Sequence, residues 1–438
     1  MADQSTNSGS YVRTQMLSEQ SPPLNEVGII KWVRENLFSS PLNIILTLIS
    51  LFVVYLALST FLPWALRGVW VADSLDGCRD VLAAKGLTSH DGACWAVITE
   101  RWNQLLFGFY PQHLYWRPVL ALLIFLFGLA PILFVGLPRT LVLFSVVAPF
   151  ACFWLIWGGS FWMPITILLG FVIVYFAAIK LPDIIGGLGA NIAAFLLPIL
   201  YWLLIAGPLA NGLHAIIPIG IEAVESRNIG GFLLSTTIGL AAIVLSLPIG
   251  IVLALARQSD LPLIKYSGVA FIEVIRGIPL IVWLFTAQLL LNYFLPPGTS
   301  FDLTLRVIIM VTLFSSVYIA EVIRGGLAAL PKGQYEGADS LGLNYAQSMQ
   351  LIVLPQALKI SIPGIVNTFI GLYKDTTLVV FIGLLDPLGV AQGIRSNAEW
   401  NGIYWEIFVF IGVLFFIACF SMGRYSLYLE KKLAREHR

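Results

Sequence analysis

The chain has 438 residues, a formal net charge of +1 and only 11% charged residues, whereas an ordinary soluble domain has about 25%. Hydrophobic residues make up 58% of the sequence, and several apolar runs reach the length of about 20 residues that crosses a hydrocarbon core. This composition excludes an ordinary soluble domain and predicts an all-α, polytopic helical membrane protein.

The first 42 residues are polar and mixed in charge, which predicts a cytoplasmic N-terminal tail over 1–42 and no signal peptide. Apolar runs then predict about ten membrane helices, with eight as the alternative count because the second to fifth are crowded. The ten segments are 43–64, 118–137, 140–158, 162–180, 191–211, 232–256, 270–294, 304–325, 358–386 and 403–425.

Lysine and arginine residues are concentrated in alternate short loops, and this asymmetry predicts the orientation of the helices. With the N-terminus inside, the inside loops and the C-terminal tail contain most of these charges. The short outside loops contain almost none, with Arg227 and Arg395 as the exceptions. Both termini are therefore predicted to be cytoplasmic.

A long outside segment, 65–117, contains Cys78 and Cys94, whereas Cys152 and Cys419 lie inside apolar runs. A pair confined to one loop in an oxidising compartment favours a disulfide, with two unpaired thiols as the alternative. No metal site is expected, because the histidines are scattered along the sequence. They are His90, His113, His214 and His437.

The pentapeptide EVIRG occurs twice, beginning at Glu273 and at Glu321. In the predicted topology both copies lie about one turn inside the cytoplasmic face, and Arg276 and Arg324 each follow their glutamate at i,i+3 spacing, where the two charges can pair. An unpaired charge there would cost at least about 2.5 kcal/mol. The copies are either structural ion pairs at helix ends or parts of a polar network at an inner gate that rearranges during transport.

The stretch GGLAALPKGQYEGADSLGLNYAQSMQLIVLPQAL follows the second copy as a cytoplasmic segment between two membrane helices. Pro331 ends the preceding helix, and apolar residues then recur at helical spacing from Gln334. This pattern predicts a short amphipathic surface helix, which either enters a groove on a soluble partner or lies on lipid. Gly342 on its apolar face either permits a bend between two short helices or lets a partner backbone approach closely.

Within this segment the pattern E-G-A-x3-G-x9-I-x-L-P resembles the EAA motif of permease subunits of bacterial binding-protein-dependent ABC importers, with Gly in place of the commoner Ala at the second position. The matching residues are Glu336, Gly337, Ala338, Gly342, Ile352, Leu354 and Pro355. The stretches FIEVIRGIPLIVWLF, YIAEVIRGG and GLYKDTTLV resemble the polar amino acid branch of that family. In the N-terminal half, CWAVITERWNQLLFGFYP followed by WRPVL resembles the longer permease of the general L-amino-acid uptake system.

The resemblance implies a domain order and a mechanism. The accessory membrane helices would occupy 43–218, with a periplasmic loop at 65–117, and a five-helix permease core would occupy 219–438. The coupling loop 331–355 would contact a cytoplasmic ABC ATPase subunit through a set of signature residues. These are Glu336, Gly337, Ala338, Gly342, Ile352 and Pro355.

The chain itself has no phosphate-binding P-loop, because no lysine stands between Gly and Ser or Thr in that pattern. We therefore expect a non-catalytic subunit without a cofactor of its own, with ATP and magnesium bound by the partner ATPase. The resemblance further implies a sister permease, in a heterodimer or alternatively a homodimer, a periplasmic amino-acid-binding protein and a lipid environment in the bacterial inner membrane. No nucleic-acid partner is expected.

One predicted helix contains ionisable residues within an apolar run, and such residues are functional candidates in a membrane. They are Lys374 and Asp375, followed by Thr376 and Thr377. These residues either have a packing or helix-breaking role beside the substrate pathway or contact a zwitterionic substrate directly. Pro279 and Pro363 would free backbone groups locally, as in broken helices near transport sites.

The leading hypothesis is a permease subunit that translocates L-amino acids across the inner membrane. An ion-coupled secondary amino acid transporter is the alternative, although apart from the EVIRG echo the sequence has none of the helix-group repeats typical of that class. A third hypothesis is a membrane scaffold or channel subunit whose amphipathic loop lies on lipid.

Overall fold

The computed structural model describes residues 28–134, 136–290, 293 and 302–435, and these residues are predominantly helical. The chain forms two compact units, one of residues 1–69 and 79–93 and the other of residues 70–78 and 94–438. Most of the predicted tail, 1–27, lies outside the described residues.

The first unit contains α1 (Gly28–Asn36) and α2 (Pro41–Leu66), and the chain continues into α3 (Leu75–Ala84). The hydroxyl of Ser40 caps α2 by accepting the Asn43 N–H at 3.2 Å, and a proline occupies the first helical position, where no backbone donor is needed. No residue of α2 is buried, although the helix is strongly apolar. This is the pattern of a helix surrounded by lipid.

The second unit begins its helices with α4 (Ala96–Phe107), α5 (Trp116–Leu133), α6 (Val142–Trp157), α7 (Trp162–Lys180), α8 (Pro182–Leu204) and α9 (Ala206–Ile216). The short strands β1 (Gly159–Ser160) and β2 (Gly220–Ile221) pair antiparallel, with Gly159 opposite Ile221. Short 3₁₀ turns occur at Gln112–Leu114, Arg139–Leu141, Ser226–Asn228 and Ala398–Trp400.

The remaining helices are α10 (Gly231–Gln258), α11 (Pro262–Arg276), α12 (Leu280–Phe285), α13 (Leu303–Ala328), α14 (Lys332–Ser340), α15 (Tyr345–Ser348), α16 (Leu354–Asp375), α17 (Pro387–Arg395) and α18 (Trp405–Arg435). Three of them change geometry at their C-terminal ends. Thr286–Leu290 after α12 and Met349–Val353 after α15 are π-helical, and Thr376–Ile382 after α16 is 3₁₀.

Among the described residues, seven helical segments are long and apolar enough to cross a membrane, and two bent helix pairs bring the number to nine if each is one span. The shorter α6 is also apolar, so each of the ten predicted segments contains helix among its described residues, while the count of ten spans stays a prediction. The class of protein, an all-α polytopic membrane protein, is confirmed.

Two segments predicted as single helices, 191–211 and 270–294, are broken, and that prediction was wrong. The first bends by 47° at Ile205, because Pro208 has no N–H for the carbonyl of Leu204. The second bends by 98° between α11 and α12, where Pro279 has extended backbone and restricts the residue before it. The end of the second segment, 291–294 apart from residue 293, lies outside the described residues.

The second unit has two ends that we name by their contents. The disulfide end contains the starts of α10, α13 and α18, together with α4, and the loop end contains residues 329–344. Helices α10, α13, α16 and α18 pack in that order, and close approach depends on glycine. A Cβ on Gly250 of α10 would lie 2.6 Å from Cγ2 of Ile319 on α13, and one on Gly326 of α13 would collide with Ser361 of α16.

A disulfide joins Cys78 and Cys94, whose Cα atoms are 5.9 Å apart. The backbone N–H of Cys94 donates to Oε1 of Glu406 at 2.8 Å, and this carboxylate is 8% exposed. Glu406 lies in the first turn of α18, where the helix dipole favours a negative charge. The disulfide therefore fixes the position of the Cys94 N–H, which donates to the buried carboxylate of Glu406.

We predict that Cys94→Ala lowers the free energy of unfolding by about 2–4 kcal/mol, because the open chain gains conformational entropy when unfolded. The thermal midpoint of the purified protein, with and without reductant, measures this effect. The matched control is Cys419→Ala, which removes a free thiol. A wild-type midpoint that reductant leaves unchanged would contradict the prediction.

Asp386 lies in the turn before α17 and caps that helix, its Oδ1 accepting the Gly389 N–H at 2.9 Å. The residue is 0% exposed, and burial raises the pKa of its carboxyl from the ordinary 3.8 to about 6. The folded state therefore binds this proton more tightly than the unfolded state does.

The contribution of Asp386 to the free energy of unfolding is therefore greatest below about pH 4, falls as the pH rises to about 6 and is level above that, with a total change on the order of 3 kcal/mol. Asp386→Asn, whose amide oxygen still caps α17, should flatten this dependence, whereas Asp260→Asn at an exposed position should not. Thermal midpoints measured from pH 4 to 7 test it, and equal slopes for wild type and Asp386→Asn would refute it.

Candidate functional site

A cluster of charged residues joins three helices at the loop end, and we call it the arginine cluster. It consists of Arg257 at the end of α10, Glu273 and Arg276 at the end of α11, and Glu321 and Arg324 near the end of α13. Nη1 of Arg257 lies 2.6 Å from Oε1 of Glu321 and 3.1 Å from Oε1 of Glu273. One arginine therefore connects both EVIRG copies.

Both predicted i,i+3 pairs are in contact. Arg324 Nε lies 3.1 Å from Oε2 of Glu321, and Arg276 Nη1 lies 4.0 Å from Oε1 of Glu273. Arg276 also lies 3.8 Å from Oε2 of Glu321, so the two copies contact each other directly. Sequence reasoning missed Arg257, which was assigned only to a loop, because its partners are 16 and 64 residues away.

Glu321 is the central residue of the arginine cluster. Its side chain is 16% exposed, the lowest fraction in the cluster, and three guanidinium groups lie within 4.0 Å of its oxygens. The guanidinium of Arg276 also lies 5.8 Å from the ring centre of Tyr318, which precedes Glu321 by about one turn on α13. A carboxylate removed from water in this way requires its cations, because an unpaired charge is costly in a membrane.

Immediately beyond α13 the chain forms a helix–turn–helix at the loop end, made of α14 and α15 with its π-helical continuation. The turn after α14 is a Schellman motif, in which the Leu343 N–H donates to the Ala338 carbonyl and the Gly342 N–H donates to the Asp339 carbonyl. Gly342 has φ +71°, a conformation that other residues rarely adopt. Asn344 and Gln347 then form a capping box that starts α15.

The amphipathic helix predicted from Gln334 is divided into two short helices by the turn at Gly342, and a bend there is one of the two roles that the sequence left open for this glycine. The predicted apolar stripe is divided as well. Ala338 and Met349 are buried, whereas Leu341 is 75% exposed and Tyr345 is 59% exposed. The exposed part of the stripe is an apolar surface that this chain leaves uncovered.

The other signature residues lie around this surface. Glu336 and Gly337 are exposed on α14, Ile352 is half-buried in the π-helix, and Pro355 is exposed at the start of α16. The helix–turn–helix is hydrogen-bonded to the neighbouring membrane helices α13 and α16. The Tyr335 hydroxyl lies 3.5 Å from the carbonyl of Leu327 on α13, and Gln356 of α16 donates to Gln334 at 2.8 Å.

The predicted pathway residues lie where α16 becomes a 3₁₀ helix. The hydroxyl of Thr376 donates to the carbonyl of Tyr373 at 2.7 Å, and that of Thr377 donates to the carbonyl of Lys374 at 2.9 Å. Lys374 is exposed and Asp375 is half-buried. Both hydroxyls are thus engaged by their own helix, and this favours the helix-breaking role over direct substrate contact.

The 3₁₀ segment after α16 lies next to the π-helical segment after α12. Gln288 of the π-helix donates to the carbonyl of Ile382 at 2.9 Å, and Nη1 of Arg306 donates to the carbonyls of Ala287 and Gln288, each at 3.1 Å. These polar side chains satisfy backbone groups that the broken helices expose. Pro363, by contrast, lies inside the continuous α16.

Broken membrane helices with polar groups at the breaks are typical of membrane transport proteins. A family model described as the inner membrane component of binding-protein-dependent transport systems matches residues 246–435. The chain belongs to the family of amino-acid ABC transporter permeases, within its polar amino acid branch, and is a multi-pass inner-membrane protein.

Similar proteins extend the match over both halves of the chain. The chain is 53% identical over 435 residues to the glutamate/glutamine/aspartate/asparagine transport system permease protein BztC of Rhodobacter capsulatus. The aligned region covers 98% of this chain and 99% of that protein. It is 38% identical over 405 residues to the inner membrane amino-acid ABC transporter permease protein YhdY of Escherichia coli, with 92% of each covered. A crystal structure of an amino acid ABC transporter with histidines is 30% identical, with a TM-score of 0.41, over 46% of this chain and 91% of that chain.

We predict that Glu321→Gln lowers the free energy of unfolding by about 1–3 kcal/mol, because three arginines lose their shared anion. The thermal midpoint of the purified protein measures the loss. Glu430→Gln removes an exposed carboxylate from α18 and should leave the midpoint unchanged. If the two variants had the same midpoint, the arginine cluster would contribute nothing to stability.

Proposed function

We propose that this chain is the membrane-spanning permease subunit of an ATP-driven importer and that a separate ATPase drives it through α14 and α15. The observation that supports this most directly is the exposed apolar surface of Leu341 and Tyr345 beside the left-handed Gly342. A membrane protein leaves such a surface uncovered on a rigid, internally hydrogen-bonded element when a soluble partner binds there.

The ATPase contact is assigned to Glu336, Gly337 and Gly342, with the buried Ala338 packing α14 against its neighbours and Ile352 and Pro355 supporting the second half of the element. Under this proposal the loop end and both termini are cytoplasmic. The chain hydrolyses no ATP and needs no cofactor of its own, because ATP and magnesium bind to the partner. A periplasmic binding protein delivers the substrate at the disulfide end, and a sister permease completes the pathway.

The substrates are proposed to be polar L-amino acids, with glutamate, glutamine, aspartate and asparagine first among them. Support comes from the name of the Rhodobacter capsulatus relative, which matches nearly the whole chain at 53% identity. The pathway would pass the broken ends of α12 and α16, where Lys374 and Asp375 border it rather than bind the substrate.

The arginine cluster is proposed as the inner gate. It adds charged contacts to the apolar packing of α10, α11 and α13, and Arg324 lies four residues before the end of the helix that leads to α14. Movement of the ATPase contact would therefore be transmitted along α13 to Glu321. Charge–charge contacts suit a gate because alternative arginine partners keep the carboxylate paired while the helices move.

The proposal is tested by Gly342→Lys, which places a side chain and a charge in the left-handed turn of the ATPase contact. We expect the ATPase subunit to be lost on purification and amino acid uptake to be abolished in the reconstituted importer. The matched control is Gly402→Lys, which also has positive φ (+91°) and open space around it but lies at the disulfide end. It should retain the ATPase.

Uptake driven by an ion gradient, in vesicles that contain this chain alone, would contradict the proposal and establish the secondary-transporter alternative. Retention of the ATPase by Gly342→Lys with full uptake would refute the assigned contact. A competition assay of labelled glutamate against the other amino acids determines the substrate range.

A further inference from the structure

A long apolar groove lies between the accessory helices and the core of the second unit. Its volume is about 580 Å³. One wall is formed by α5, α6 and α7, with Phe125, Phe150 and Phe171 among its side chains, and the other by α10 and α13. Side chains along its length are almost entirely apolar, and polar ones are concentrated at the disulfide end and at Thr236 and Thr237.

The groove has the depth of one membrane leaflet. Along α10 it extends from Leu233 to Leu245, twelve residue steps, which is about 18 Å at 1.5 Å per residue. Half of a hydrocarbon core of about 30 Å is about 15 Å. On α13 the lining residues are Leu305 and Ile308, also close to the disulfide end. The groove therefore has about the length of one leaflet and lies along the half of α10 that is nearer to the disulfide end.

At the disulfide end the groove adjoins a second cavity of about 720 Å³, which is lined by charged as well as apolar residues and which we call the polar cavity. The two cavities share Trp157, Ser226 and Asp302, and the second is also lined by Glu225 and Arg227. The Trp157 indole N–H donates to the Ser226 hydroxyl at 2.7 Å, which places a tryptophan where the apolar and polar parts meet. Tryptophan is enriched at this level of membrane proteins.

The charges of the polar cavity are exposed and of both signs. Arg227 Nε lies 2.5 Å from Oε2 of Glu225, and their side chains are 80% and 65% exposed. Asp302 accepts the Leu305 N–H through Oδ1, so its other oxygen remains available. Two carboxylates and one guanidinium around one cavity complement a ligand that has both a phosphate and an ammonium group.

We propose that this composite site binds one phospholipid of the leaflet at the disulfide end, with an acyl chain in the groove and a zwitterionic phosphoethanolamine head group in the polar cavity. The phosphate pairs with Arg227 and the ammonium group with Glu225 and Asp302. The lipid then fills the space between α5, α6 and α7 on one side and α10 on the other.

Packing energetics require that something apolar fill the groove in a membrane. Water is excluded because an apolar cavity offers it no hydrogen-bond partners. An empty groove would deprive its walls of dispersion contacts, whereas an acyl chain restores them. The match of groove depth to one leaflet, with charge at one end only, selects an amphiphile over a purely apolar ligand.

The site is tested by native mass spectrometry of the importer complex after delipidation and incubation with phosphatidylethanolamine, phosphatidylglycerol or diacylglycerol. We expect retention in that order, with phosphatidylethanolamine the strongest. Ala241→Trp places an indole in the groove on α10 and should reduce phosphatidylethanolamine retention about tenfold, because losing contact with about two CH₂ groups already weakens binding by that factor. Arg227→Gln should reduce the preference for phospholipid over diacylglycerol.

The matched control is Val252→Trp, a similar change at a 65% exposed position of α10 outside the groove, which should retain lipid as the wild type does. Equal retention by wild type and Ala241→Trp would overturn the site, and a preference for phosphatidylglycerol would overturn the head-group assignment. Cross-linking of Ala241→Cys to the sister permease would overturn the proposal by assigning the groove to a subunit interface.

Discussion

Glu321 is the point at which three membrane helices are joined by charge. Two glutamates and three arginines at the loop end bring together α10, α11 and α13, and the most buried carboxylate contacts all three guanidinium groups. In a low-dielectric region such a group cannot lose its partners without a large cost, so the ends of these helices move together or exchange partners. The geometry of the neighbouring helix–turn–helix depends on this constraint because α14 follows α13 after three residues.

The same rule, that backbone and charge must be satisfied inside the membrane, accounts for the irregular helices. The π-helical segment after α12 and the 3₁₀ segment after Asp375 expose carbonyls, and Arg306 and Gln288 donate to them. These long polar side chains replace the hydrogen bonds that regular helix would have made. A broken helix in this position is therefore a stable feature, and it places polar groups within an apolar bundle.

Much of the fold could be predicted from the sequence because apolar run length determines where membrane helices form. The i,i+3 pairs of the EVIRG copies were also predictable, because both partners of each pair lie on one helix and the helical repeat brings them together. The partnership of Arg257 with Glu321 was not, because it depends on how α10 packs against α13. Sequence spacing also could not distinguish Pro279, at which the chain bends by 98°, from Pro363, which lies within continuous helix. The stripe from Gln334 predicted helix correctly, but the hydrogen bonds around Gly342 divide it.

The turn at Gly342 has a consequence for recognition. Its carbonyls and N–H groups are satisfied within the element by the Schellman bonds and the capping box, so the two short helices are held at a fixed angle before any partner arrives. Little conformational entropy is then lost when a partner binds. The two helices also do not have to refold each time the partner changes shape. Under the proposed function, a preformed element of this kind transmits movement of the ATPase to the membrane helices in both directions without unfolding between cycles.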